Sequence, residues 1–102
     1  MKSITAEQLK RRLDDGAAPF MLDVREPEEM ADGVIAGSIN IPMDDVEHRL
    51  DEIPAEREIV VICHMGVRSA YIARKLKALG YDRVTNLSGG VDAWLRATAI
   101  GR

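Results

Sequence analysis

The sequence predicts a small α/β domain, and three observations predict it. Apolar runs short enough to be strands alternate with stretches carrying a helical stripe, short turns separate them, and one run, Ile59 to Ile62, is apolar without interruption. An unbroken apolar run suits a strand covered on both faces. Strands alternating with helices need crossover connections, hence a parallel sheet with helices on both sides. At 102 residues the chain has the usual length of one compact unit, and residues 1–102 read as a single domain.

Each element has its own signal. Thr5 and Gln8 stand at capping-box spacing ahead of Leu9 and Leu13 and start a first helix. "PFMLDVR" reads as a strand, and "SINIP" as a shorter one. Asp44 or Asp45 can cap a helix through Val46 and Leu50 that ends before Pro54. "EIVVICH" is the main buried strand. Ile72, Leu76 and Leu79 follow at i, i+4, i+7 on a helix that Ser69 opens and Gly80 ends. "RVTNLSGG" is a short strand and turn, in which Gly89 and Gly90 supply positive φ before a last helix from Val91 through Trp94. Trp94 reads as a packing anchor.

Composition removes several function classes. With 46% hydrophobic and 30% charged residues the chain is an ordinary globular sequence. Its net charge of -3 and scattered Lys and Arg leave no footprint for nucleic acid. "MKSITAEQLKRRLDDG" carries charge but no apolar core of a signal peptide, and no stretch has the length to span a bilayer, so no membrane association is expected. The single cysteine, Cys63, excludes an internal disulfide, and no Cys/His set stands at metal-ligand spacing. We therefore expect a reducing, cytoplasmic compartment and neither metal nor cofactor.

Cys63 begins "CHMGVRS", a loop between a buried strand and a helix, at the carboxyl edge of the sheet where α/β ligands collect. Gly66 allows positive φ or a close approach, and successive amides beside a helix start can form an anion-binding nest. The helix dipole and Arg68 would both favour a thiolate there. Two readings stand on position alone. A cysteine after "VVI" can complete the core as a small hydrophobe, or it can be a nucleophile. The company of Gly66, Arg68 and Ser69 favours the second.

The loop resembles the CxxGxR[ST] active-site loop of the rhodanese family of sulfurtransferases. "MLDVREPEE", "GVIAGSINIP" and "NLSGGVDAW" resemble other motifs of that family in the same order, so the likeness covers about residues 3 to 96. It implies a three-layer rhodanese-like fold with a parallel sheet of about five strands. It also implies sulfur transfer through a Cys63 persulfide, from thiosulfate or a similar small anionic donor to cyanide or a thiol acceptor, with a sulfur-relay protein as a further partner. On that reading Cys63 is catalytic, and His64, Met65, Gly66, Val67, Arg68 and Ser69 surround the persulfide with their amides. The amide of His64 is favoured over its imidazole, which either steers donors or faces solvent. Arg68 either faces the anion or braces a carboxylate.

Two other classes compete. Cysteine phosphatases and related arsenate reductases use a similar loop with five residues between Cys and Arg, whereas Cys63 and Arg68 enclose four, a tighter ring suited to sulfur. A non-catalytic interaction module is the other alternative, against which Cys63 is retained. Asp23 and Arg25 in "DVR" share one face of a strand. The resemblance puts Asp23 close enough to hydrogen-bond the loop, and Arg25 can pair with Glu29. The two read more simply as a structural ion pair. Val34 and Met30 depart from the family pattern, which has His at the first and often an aromatic at the second, and so alter the pocket rim. Met65 can also form part of that rim, and His48 reads as a solvated helix residue.

Overall fold

A computed structural model describes residues 1–99; the last three residues of the expected domain, 100–102, lie outside the described residues. Five parallel strands form one sheet: β1 (Ser3–Ile4), β2 (Phe20–Asp23), β3 (Ile39–Asn40), β4 (Ile59–Ile62) and β5 (Val84–Leu87). Their order is β1-β5-β4-β2-β3. The helices are α1 (Ala6–Asp14), α2 (Val67–Ala78) and α3 (Gly90–Thr98), with 3₁₀ segments at Pro27–Asp32, Met43–His48 and Leu50–Glu52.

Strand β4 is central, and its side chains alternate between two cores. Ile59, Val61 and then Cys63 point to one face, where Leu22, Val24 and Val84 join Ile72, Ala73 and Leu76 of α2, with Val46 and Ile53 from the connection beyond β3. Val60 and Ile62 point to the other, against Met21, Leu87, Leu9 of α1 and Val91 of α3. This is why Ile59 to Ile62 had to be apolar throughout: both faces are covered. The expected three-layer arrangement with helices on both faces is therefore the one observed.

Local chemistry explains the helix ends. The Thr5 hydroxyl accepts from the Gln8 amide at 3.1 Å while the Gln8 side chain accepts from the Thr5 amide at 2.9 Å, the reciprocal box read from sequence. At the end of α2, Gly80 has φ +102, the Tyr81 amide donates to the Leu76 carbonyl at 3.0 Å and the Gly80 amide to Lys77 at 3.1 Å. That double closure turns the chain sharply.

Three expectations are corrected. Leu79 is 47% exposed; the turn swings Tyr81 into its place, 8% exposed, with its hydroxyl donating to the carbonyls of Ile53 and Leu50. The helix expected through Val46 and Leu50 is two 3₁₀ pieces broken at Arg49, and neither Asp44 nor Asp45 caps it, since Pro42 precedes the first turn. Only Val46 of the longer piece is buried, so no α-helical stripe draws the segment into a regular helix. Finally, α2 opens at Val67 with Gly66 as its cap, placing Ser69 inside the first turn and fully buried.

Candidate active site

The register of the sheet assembles the site. Asp23 of β2 lies beside Ile62 of β4, and the loop from Cys63 to Gly66 leaves that edge to enter α2. Continuing the alternation of β4, the Cys63 side chain turns toward α2 and is 1% exposed. Its sulfur meets the first turn of that helix. The Gly66 amide donates to Cys63 Sγ at 3.1 Å, and Ser69 Oγ lies 3.2 Å from it.

Gly66 is glycine for two reasons. Its φ is +101, and a Cβ there would come within 3.2 Å of the Gly89 amide nitrogen. Gly90 is still more constrained: a Cβ would stand 2.3 Å from the Cys63 carbonyl oxygen and 2.4 Å from that of His64. The gap lets the first amides of α3 reach the loop, with Val91 N–H donating to Cys63 O at 2.8 Å and Asp92 N–H to His64 O at 3.1 Å. The backbone of the loop is thus held from the α3 side while the sulfur is held from the α2 side. Of the double glycine, the sequence suggested only the turn, not this close approach.

Burial is the largest influence on the Cys63 thiol and acts to raise its pKa. The Ser69 hydroxyl and the amides of Ser69, Gly66 and Met65 act the other way, and together they hold the thiol below its ordinary value. Among these amides that of Gly66 bonds the sulfur directly, at 3.1 Å.

Of the two readings of Arg68 the charged neighbours follow the bracing one, and Asp23 and Arg25 form the structural ion pair, while the Arg25–Glu29 pairing is not made. Arg68 does not turn to the sulfur; its guanidinium grips the Glu29 carboxylate through two bonds of 2.6 and 2.7 Å. That fork holds Glu29 at about 2, well below the carboxylate range. Arg25 therefore does not pair with the Glu29 carboxylate. It reaches only that residue's backbone carbonyl, at 3.2 Å, and forks instead onto Asp23, with Nη2 to Oδ2 at 2.8 Å. Asp23 ends β2 and Arg25 stands two residues further on; their side chains lie side by side, and both are 1% exposed. Asp23 accepts from the Arg25 amide as well, so its carboxylate serves Arg25 rather than the loop. Arg25 also donates to the Gly33 carbonyl at 2.8 Å and so ties the Pro27–Asp32 segment to the sheet edge.

The remaining expected residues lie at or near the surface. His64 is exposed, Met65 is 57% exposed and Val67 78%, while Val34 and His48 face solvent. Met30 is half-buried, with its sulfur 3.9 Å from Arg25 Nη2. A groove of about 420 Å³ beside the loop is lined by Val67, Arg68, Tyr71, Met43 and Lys75, and Cys63 does not reach it. One polar residue of the site carries no signal in the sequence. Asn86 of β5 accepts the Ser69 hydroxyl at 2.5 Å and donates to the Gly66 carbonyl at 3.3 Å. An asparagine two residues ahead of "SGG" reads as turn chemistry, and only the strand register shows it on the α2 face.

Comparison with known proteins agrees with this geometry. The family model of the rhodanese-like domain matches residues 5–97. The chain is 38% identical to a sulfurtransferase of Allochromatium vinosum over 96 residues, covering 94% of this chain and 90% of that one. It is equally 38% identical, over 95 residues, to the putative sulfur carrier protein YrkF of Bacillus subtilis; there it covers 93% of this chain but spans about half, 51%, of the relative. Among solved structures, a rhodanese-like domain protein from Staphylococcus aureus superposes with a TM-score of 0.86 at 37% identity, covering 92% of this chain and 91% of that one. A parallel α/β sheet, a buried cysteine at its carboxyl edge and relatives of this kind lead to one statement: the chain belongs to the rhodanese-like domain family, as a sulfurtransferase or sulfur carrier.

Proposed function

We propose that Cys63 carries sulfane sulfur as a persulfide, taken from thiosulfate or a similar small anionic donor and handed to cyanide or a thiol. The observation that carries this reading is the polar surround of Cys63 Sγ, with the Gly66 amide donating to it at 3.1 Å and the Ser69 hydroxyl 3.2 Å away and able to turn its hydrogen to an anion on sulfur. The thiolate attacks the outer sulfur of thiosulfate, the S–S bond to the sulfonate breaks, and sulfite leaves with the bonding pair. Cys63 is left as a perthiolate. Cyanide or an acceptor thiolate then attacks the outer sulfur, and the pair returns to Cys63. No second cysteine exists in the chain to discharge the persulfide as an internal disulfide.

The roles follow from position. Cys63 is the nucleophile; Met65, Gly66 and Ser69 stabilise charge on it; Arg68 braces the rim through Glu29. The exposed Val67 and Tyr71 lining the groove give an acceptor protein an apolar footing, which supports a relay partner. A lone reactive thiol of this kind suits a reducing compartment such as the cytoplasm.

Intact-mass measurement after thiosulfate treatment tests the proposal. The wild type should gain one sulfur atom, lose it to cyanide as thiocyanate, and Cys63→Ser should gain none. Absence of the adduct would overturn the reading. Turnover of an aryl phosphate that depends on Cys63 would instead favour the phosphatase class.

A further inference from the structure

We infer that Asn86 is a positioning residue for Cys63, holding the proton of Ser69 away from the sulfur until the thiolate forms and reclaiming it once the sulfur is loaded. The inference rests on the sulfur-transfer reading only for its second half.

The argument is a count of protons. The Ser69 hydroxyl has one hydrogen and two neighbours able to accept it, Cys63 Sγ at 3.2 Å and Asn86 Oδ1 at 2.5 Å. The orientation of the Asn86 amide is settled by its other bond. Its Nδ2 donates to the Gly66 carbonyl at 3.3 Å, and a flipped amide would set two oxygens against each other there. Asn86 Oδ1 is therefore an acceptor only. While Cys63 is a thiol, S–H donates to Ser69 and Ser69 donates to Asn86, and every partner is satisfied. When the thiol ionises, the sulfur needs a donor, so the Ser69 hydrogen turns to it and Asn86 Oδ1 is left without one. Asn86 thus opposes the thiolate, and Ser69 supports it.

Loading reverses the demand. In the perthiolate the negative charge sits on the outer sulfur, and Cys63 Sγ is a neutral disulfide-like atom. Ser69 can then return its hydrogen to Asn86 while the loop amides meet the outer sulfur. Asn86 consequently favours the loaded form over the bare thiolate. The charged groups around Cys63 do not take part in this exchange. Arg68 on α2 is bound to Glu29, Asp23 at the end of β2 and Arg25 just beyond it are bound to each other, and His64 is exposed.

The test is the pH dependence of Cys63 alkylation by iodoacetamide, which needs no sulfur donor. Asn86→Ala should move the midpoint down by roughly half to one pH unit, the worth of one hydrogen bond. Ser69→Ala should move it up, and adding Asn86→Ala to Ser69→Ala should move it no further. If Asn86 merely buttressed the loop, its loss would weaken the amide donors and raise the midpoint; an upward or absent shift in Asn86→Ala overturns the inference. Asn86→Leu, similar in volume and without an acceptor, replaces the alanine variant should that fail to fold. The second half is read from the loaded fraction at a fixed ratio of thiosulfate to sulfite. Above the alkylation midpoint, where the bare form is the thiolate, the ratio of loaded to bare Cys63 should fall roughly threefold to tenfold in Asn86→Ala, and an unchanged ratio there overturns it. A wild type that never loads would defeat the sulfur-transfer reading while leaving the alkylation result to decide the role of Asn86.

Discussion

Glu29 links the rim of the loop to the stability of the whole chain. Its carboxyl is lowered from 4.5 to about 2, first by the Arg68 fork, with its own partial burial opposing. Because the folded value is the lower one, the stabilisation is complete above the ordinary carboxyl range and drains away as pH falls toward 2. Glu29→Gln should therefore lower stability at pH 7 by about 1 kcal/mol, a solvent-screened figure for a half-exposed fork. The gap from wild type in urea unfolding should narrow between about pH 4.5 and pH 2, and a gap that stays constant with pH would contradict this account. The sequence disclosed Cys63 because an unpaired thiol at the end of an apolar strand is conspicuous. It misdirected Glu29 to Arg25, since i, i+4 proximity is visible in a string of letters and a partner 39 positions away is not. Asn86 escaped for the same reason.

At the scale of elements, the helix ends with reciprocal side-chain or glycine chemistry were legible, and the segments wound by tertiary demand were not. The Thr5 and Gln8 box and the Gly80 turn follow from adjacent residues. β1 is two residues long and exists because Asn86 N–H and Ser88 N–H of the neighbouring strand and its extension bond the carbonyls of Lys2 and Ile4. The 3₁₀ segment at Pro27–Asp32 is held by Arg25, a contact no periodicity announces. The two glycines Gly80 and Gly90 separate conformation from close approach. Both have positive φ, but a Cβ at Gly80 meets nothing within 4 Å. Gly80→Ala should cost about 1–2 kcal/mol for the left-handed backbone alone. Gly90→Ala should cost about 1–3 kcal/mol more, because the loop carbonyls must move. Cys63 alkylation should also slow in Gly90→Ala and not in Gly80→Ala. Equal costs, measured by thermal or urea unfolding, would show that the contact is easily relieved.

For the molecule as a whole, the parallel sheet and its two covered faces were readable from the uninterrupted run Ile59 to Ile62, whereas the number of strands came only through the family likeness and their order only from the structure. Hydrophobic pattern tells a strand that both sides are covered; it does not tell the strand who stands beside it. The observed order puts β4 between β5 and β2, buried at every residue. Amide hydrogen exchange should accordingly be slowest in β4, at the rate of global unfolding, and faster by local opening in Met43–His48 and Leu50–Glu52, whose short 3₁₀ turns hold few bonds. Exchange in β4 as fast as in those segments would mean that the sheet does not open as one unit.

The bonds from Val91 and Asp92 to the carbonyls of Cys63 and His64 carry a consequence for the descent of such chains. They are made by the backbone, so the joint between the two layers is indifferent to which side chain occupies position 63. Chemistry and architecture are thereby inherited separately. A descendant can exchange the thiol for another small side chain and keep its shape for a new employment, yet it cannot lightly exchange Gly90, whose missing side chain is what lets the layers meet.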